Sequence, residues 1–123
     1  MPDRMTDRVV LAIDTSFGPV SAALAAIPQL LLQFHGDETP EQCRQHGRAY
    51  MRAARMEPGF DLLDFARQFA EAQAILLDAL VEGYGGGGKV FDWSLIPPNV
   101  PRPVVLSGGL HAGNVIEGIQ RVR

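Results

Sequence analysis

Short apolar runs alternate with amphipathic segments along most of the chain. This alternation is typical of a parallel sheet whose strands are connected by crossover helices. The apolar runs predict five strands, at residues 9–13, 30–34, 50–56, 74–77 and 104–107. The segments between them predict helices at 20–26, after Thr39, at 61–73, from Trp93 and at 112–122. We therefore expect an α/β domain with about five parallel strands.

Side-chain capping signals support two of the predicted helices. Thr39 is placed as the N-cap of a short helix, with Pro40 in the first helical position and Gln42 completing a capping box. Asp92 is placed as the N-cap of a later helix.

The composition is that of an ordinary globular domain, with 46% hydrophobic residues, 20% charged residues and a net charge of −3. This mild acidity gives no reason to expect nucleic acid or an anionic membrane as a partner. The single cysteine, Cys43, excludes an intramolecular disulfide and fits a reducing compartment. No apolar run reaches the ~20 residues of a membrane helix, and the charged start lacks the apolar segment of a signal peptide. We expect one cytoplasmic domain at 9–123, preceded by a tail at 1–8.

Candidate chemistry lies at the predicted carboxyl ends of strands. Asp78 follows the fourth strand, the position where (β/α)8-barrel enzymes place their catalytic groups. Without further information, the alternative role is a helix cap or a loop-ordering hydrogen bond, which is the role of most aspartates at strand ends. Gly108 and Gly109 follow the fifth strand and predict either a phosphate-binding turn or a tight turn without ligand. The run that contains Gly86 and Gly87 predicts either a loop that approaches an anion or simply a flexible loop.

The remaining polar candidates are weaker. His35 follows the second strand and is expected to be a hydrogen-bonded residue at the carboxyl edge of the sheet rather than a proton carrier. Either Arg52 or Arg55 in the third strand is expected to point into the mouth of a barrel, where its charge would help to neutralise an anionic substrate. Three isolated histidines without carboxylate spacing do not make a metal site. We expect neither a metal nor a cofactor.

Three stretches of the chain resemble one enzyme family: LLLQFHGDETPEQC at 30–43, ILLDALVEGYGGGGKVFDWS at 75–94 and PVVLSGGLHAGNV at 103–115. The family is phosphoribosylanthranilate isomerase of tryptophan biosynthesis, and the resemblance covers about residues 22–122. It implies an incomplete (β/α)8 TIM barrel with the equivalents of strands three to seven. A complete barrel needs ~200 residues or more, and the chain has 123.

The resemblance implies an Amadori rearrangement of N-(5-phosphoribosyl)anthranilate, a phosphorylated small molecule. Asp78 matches the family's catalytic acid, which protonates the ribose ring oxygen. The resemblance further implies substrate-site roles for six other residues. Gly86 and Gly87 match the family's lid loop, and Gly108 and Gly109 match its phosphate-binding turn. His35 matches a residue at the barrel mouth, and Arg55 matches an arginine in the family's fifth barrel strand.

Parts of the family pattern have no counterpart here. The family's base is a cysteine at the end of the first barrel strand, in a Lys-Ile-Cys-Gly-type motif. Cys43 lies instead in the predicted helix after Thr39 and is expected to be a small buried or half-buried residue. The arginine that faces the anthranilate carboxylate and the phosphate motif of the eighth strand are not found either. The alternative function is therefore an inactive barrel fragment or assembly module. Open sheet edges predict a homo-oligomer or a complementing barrel fragment as partner.

A second resemblance involves VLAIDTSFGPVSAAL at 10–24. This stretch is similar to the start of the bacterial tRNA threonylcarbamoylation proteins, in which Asp14 would lie near nucleotide phosphates. The other nucleotide-binding motifs are absent, so ATP binding is not expected. We interpret the stretch as a barrel strand and helix, with a fused N-terminus as the alternative.

Overall fold

A computed structural model describes residues 31–79 and 90–122 of the chain. Four strands form one sheet in which every neighbouring pair is parallel and the strand order follows the chain. The strands are β1 (Leu32–Phe34), β2 (Tyr50–Met56), β3 (Ala74–Ala79) and β4 (Val104–Leu106). The helices are α1 (Pro40–Arg44) between β1 and β2, α2 (Leu62–Gln68) between β2 and β3, and α3 (Val115–Arg121) after β4. Successive parallel strands joined by helices are the repeating unit of a (β/α)8 barrel, and the fold is a partial barrel of this kind.

Within the described residues, the four predicted strands and three of the predicted helices occur in the predicted order. Strand β2 spans the predicted residues 50–56, and α1 begins with the predicted capping box, in which Thr39 and Gln42 cap each other's backbone N–H groups. The predicted strand at 9–13 and helix at 20–26 lie outside the described residues.

Three predicted helices are longer than the observed ones, for local reasons. Helix α2 ends at Gln68, because the backbone N–H of Gln73 already pairs with the carbonyl of Tyr50 in the sheet. The helix predicted from Trp93 is a single 3-10 turn, Trp93–Leu95. Prolines follow this turn, and the residue before a proline is disfavoured in the helical region. Helix α3 starts three residues later than predicted, because residues 112–114 form a turn.

The two faces of the sheet have different environments. One face packs on α2 in a core that includes Phe34, Ile75, Leu77 and Leu62. Side chains alternate between faces along a strand, so the residues between these core positions point to the opposite face. The opposite face corresponds to the barrel interior and carries the polar candidates.

Some apolar side chains are exposed on the described part of the molecule. Ile116 and Ile119 of α3 are 69% and 49% exposed, and Val105 of β4 is 39% exposed. The expected oligomeric or complementing partner stays a prediction. Within residues 31–79 and 90–122, no helix has both the length and the apolar character needed to cross a bilayer.

Candidate functional site

The carboxyl ends of three neighbouring strands bring the predicted polar residues to one edge of the sheet. Arg55 of β2 is the register partner of Asp78 of β3. The backbone N–H of Ser107 donates to the carbonyl of Leu77 at 3.0 Å, which extends the pairing of β3 with β4 and places Ser107 beside Asp78. The edge that carries these three residues is where a barrel enzyme binds its substrate.

Asp78 is held by two contacts at this edge. Its Oδ2 lies 3.3 Å from Nε2 of His35, and its Oδ1 accepts a hydrogen bond of 2.9 Å from the backbone N–H of Ala79. The Asp78 side chain is 15% exposed and the His35 side chain 45% exposed. The carboxylate is therefore largely shielded, while the imidazole beside it remains open to a ligand.

The position of Gln33 sets the hydrogen-bonding role of His35. The side-chain nitrogen of Gln33 lies 3.2 Å from Nδ1 of His35. The neutral tautomer that suits both contacts has Nδ1 as the acceptor from the amide of Gln33 and Nε2–H as the donor to Asp78. Gln33, His35 and Asp78 thus form a polar chain across the barrel-interior face. The sequence placed His35 at the mouth but did not predict its contact with Asp78.

Arg55 and Arg52 lie on opposite faces of β2. Arg55 is exposed, and its Nη2 lies 3.4 Å from the carbonyl oxygen of His35, next to the carboxyl edge of the sheet. Arg52 is only 5% exposed and stacks on the rings of Phe65 and Phe69 at the helix side. Burial lowers the pKa of the Arg52 guanidinium, although nearby Glu38 opposes this effect.

The turn after β4 has the backbone geometry that only glycine adopts easily. Gly108 has a φ of 86° and Gly109 a φ of 64°. Neither backbone N–H donates a hydrogen bond to another residue in the described part of the chain. The side chain of Asn114 fixes the turn, because it donates to the carbonyl of Gly109 and accepts from the backbone N–H of His111. Helix α3 begins only at Val115, three residues later than the predicted start at 112, so a longer turn separates the two glycines from the helix.

The other predicted binding residues, Gly86 and Gly87, lie outside the described residues. Among the residues that the structure describes, no group of three or more His, Cys, Asp or Glu side chains is arranged to hold a metal ion. An open cavity of about 300 Å³ lies away from Asp78, between the 3-10 turn and α3. Its lining includes Trp93, Asn114 and Arg121.

Cys43 lies in α1 and is fully buried in the core. Burial raises the pKa of its thiol from an ordinary value of 9.0 to about 11. A thiol that stays protonated inside the core is a poor base. The core that contains Cys43 also lies on the helix side of the sheet, away from the edge that carries Asp78. The expected role of Cys43 as a small buried residue is confirmed.

The raised pKa of Cys43 predicts a loss of stability at alkaline pH. The unfolded thiol ionises near pH 9 and the folded one near pH 11, so the unfolded state is favoured as pH rises between these values. We expect the free energy of unfolding to fall by about 1 kcal/mol more in the parent chain than in Cys43→Ala between pH 8 and pH 10. Urea unfolding at the two pH values measures this difference. Equal losses in both chains would contradict the assignment, since other titrating groups are common to both.

Sequence reasoning missed the roles of Gln33 and Arg52, although the pattern carried signals for both. Gln33 stands two residues before His35, and residues i and i+2 share a face in an extended strand. Arg52 shares its face of β2 with Tyr50, Ala54 and Met56, all of which are buried in the core. The alternation alone therefore points Arg52 toward the helices.

Comparison with known proteins agrees with this geometry. A family model described as N-(5'phosphoribosyl)anthranilate (PRA) isomerase matches residues 9–123. The chain is 69% identical over 115 residues to the N-(5'-phosphoribosyl)anthranilate isomerase of Leptothrix cholodnii, and the matched residues make up 94% of this chain and 52% of the relative. It is 65% identical over 115 residues to the protein of that name from Methylibium petroleiphilum, with 94% and 54% covered. The corresponding protein of Dechloromonas aromatica is 55% identical over 117 residues, with 95% and 56% covered. The chain thus spans about half the length of the curated relatives it matches, and no solved structure matches it.

Proposed function

Because the chain belongs to the phosphoribosylanthranilate isomerase family, we propose that it takes part in the Amadori rearrangement of N-(5-phosphoribosyl)anthranilate, with Asp78 as the general acid. The observation that carries the proposal is the position of Asp78 at the carboxyl end of β3. Its carboxylate is largely shielded there, and Oδ2 contacts Nε2 of His35.

The proposed reaction moves protons and needs no external reactant. The protonated Asp78 carboxyl gives its proton to the ring oxygen of the ribose, and the bond between that oxygen and C1′ breaks as the anilino nitrogen supplies its electron pair. Removal of the proton from C2′ then gives an enolamine, and the ketone product forms when C1′ gains a proton and the C2′ hydroxyl loses one. The residue that removes the C2′ proton is not assigned within this chain, because Cys43 lies in the core.

The other residues of the sheet edge suit an anionic substrate. Arg55 supplies a positive charge beside His35, which lines the mouth. Gly108 and Gly109 adopt positive φ angles in the turn after β4, and in this proposal their N–H groups bind the substrate phosphate. Gly86 and Gly87, which lie outside the described residues, are proposed to contribute to substrate binding.

The partner proposal concerns completion of the barrel. A (β/α)8 barrel needs ~200 residues or more, and the chain has 123. We propose that further strands close the site, supplied by a second copy of the chain or by a complementing barrel fragment.

The function can be tested by transplanting residues 9–123 into the Leptothrix cholodnii relative in place of its matched segment. We expect the chimera to convert phosphoribosylanthranilate at a rate within about tenfold of the parent relative, because all proposed residues of this chain would then act in a complete barrel. Loss of the substrate's anthranilate fluorescence measures turnover, and the unmodified relative is the control. A folded chimera without turnover would overturn the proposal.

A further inference from the structure

Arg52 is a buried charge whose presence the proposed chemistry does not explain. It is 5% exposed, and its guanidinium lies 4.9 Å from the ring centroid of Phe69 and 5.4 Å from that of Phe65. The nearest carboxylate oxygen, Oε2 of Glu38, is 4.0 Å away. Burial of a charge is unfavourable unless hydrogen bonds compensate for the lost water. The hydrogen bonds of Arg52 therefore indicate what it does.

Two of these hydrogen bonds flank His35 along the chain. Nη1 of Arg52 donates to the carbonyl of Phe34 at 3.3 Å, and Nη2 donates to the carbonyl of Gly36 at 2.8 Å. The planar guanidinium holds its donors in a fixed fork, so it fixes the two carbonyls relative to each other. Glu38 also holds this loop, because its Oε2 accepts from the backbone N–H of Gly36 at 2.9 Å.

The hydrogen bonds from Arg52 and to Glu38 lie where the pairing between β1 and β2 ends. The pairing of β1 with β2 ends at Phe34, whose register partner is Arg52 itself. His35 is the next residue, and its ring reaches past β2 to Asp78 on β3. The contact between His35 and Asp78 therefore depends on how firmly the end of β1 is attached to β2.

We propose that Arg52 is a positioning residue that holds the His35 ring against the Asp78 carboxylate from the opposite face of the sheet. Its catalytic consequence rests on the proposed function, but the positioning itself is measurable without turnover. A residue that only filled space beside Phe65 and Phe69 would stabilise the core without any effect on the imidazole of His35.

The test is a chemical-shift double-mutant cycle on the 123-residue chain. The Hε1–Cε1 signal of the His35 ring is recorded by NMR with and without Asp78→Asn, first with Arg52 present and then in Arg52→Met and Arg52→Lys. Methionine keeps an apolar stem beside the phenylalanines, and lysine keeps the charge without the fork. We expect Asp78→Asn to shift the His35 signal in the parent and to shift it by less than about half as much in either variant.

Arg102→Met is the matched control. Arg102 is also partly buried and also donates to a backbone carbonyl, that of Ala70 at 2.6 Å, but it does not contact the end of β1. The His35 response should be unchanged in this variant. If Arg52→Met does not fold by circular dichroism, Arg52→Lys carries the test. A folded Arg52 variant with the full parental response would overturn the proposal.

Turnover distinguishes this proposal from the proposed function. In the chimera, Arg52→Lys should lower kcat by about tenfold with little change in KM, because misplacement of a catalytic neighbour affects the reaction more than binding. If the chimera has no turnover but the His35 response to Asp78→Asn in the 123-residue chain still depends on Arg52, the proposed function is refuted and the positioning role stands. If the chimera is active but the His35 response to Asp78→Asn does not depend on Arg52, only the positioning role is refuted.

Discussion

Asp78→Asn is expected to lower the kcat of the chimera that contains residues 9–123 by about 10²–10⁴-fold. Asparagine has nearly the shape of aspartate and keeps a polar group next to His35, but it has no acidic proton to give to the ribose ring oxygen. General acid catalysis is typically worth this range, so the loss should appear in kcat. The measurement is steady-state turnover followed by anthranilate fluorescence.

Asp92→Asn is the matched control for this prediction. Asp92 is an exposed aspartate whose Oδ1 accepts from the backbone N–H of Ser94 at the 3-10 turn. The same chemical change at this position should leave turnover within about threefold of the parent, as for most surface substitutions. Asp78→Asn with activity similar to Asp92→Asn would rule out Asp78 as the general acid.

Leu77→Ala should lower the free energy of unfolding by about 2–5 kcal/mol. Leu77 is 0% exposed and lies in β3, between β2 and β4, within the core formed with α2. Its truncation removes buried apolar surface and leaves a cavity that the surrounding strands cannot fully close. Urea unfolding of the 123-residue chain, followed by circular dichroism, measures the change.

Leu31→Ala makes the same truncation at an exposed position. Leu31 precedes β1 and is 44% exposed, so its replacement should change stability by less than about 1 kcal/mol. Similar losses in both variants would show that Leu77 is not packed as described.

Much of the architecture was predictable because local signals and tertiary packing agree. The apolar runs at 50–56 and 74–77 became β2 and β3, and the capping box at Thr39 began α1 as expected. The motifs at 30–43, 75–94 and 103–115 identified the isomerase family, which the family match confirms. The match begins at residue 9 and so includes the stretch that also resembles tRNA threonylcarbamoylation proteins, a resemblance that nothing confirms.

The ends of helices were less predictable, because they depend on the hydrogen bonds that the neighbouring residues make in the tertiary structure. The apolar spacing of α2 continues beyond Gln68, but the helix ends there, since Gln73 has to pair with Tyr50. The turn after β4 delays α3 for a similar reason, because Asn114 hydrogen-bonds back to Gly109 before the helix starts.

By itself, the sequence determined which residues reach the carboxyl edge of the sheet. The two-residue period of a strand and the position of Asp78 at the end of an apolar run are local properties, so they could be read without coordinates. Only the tertiary structure decided which of these residues touch. The contact between His35 and Asp78 depends on the register of three strands, and the burial of Arg52 depends on the packing of Phe65 in α2 and of Phe69 just after it over β2. Contacts between residues distant along the chain arise from packing, which no local pattern specifies.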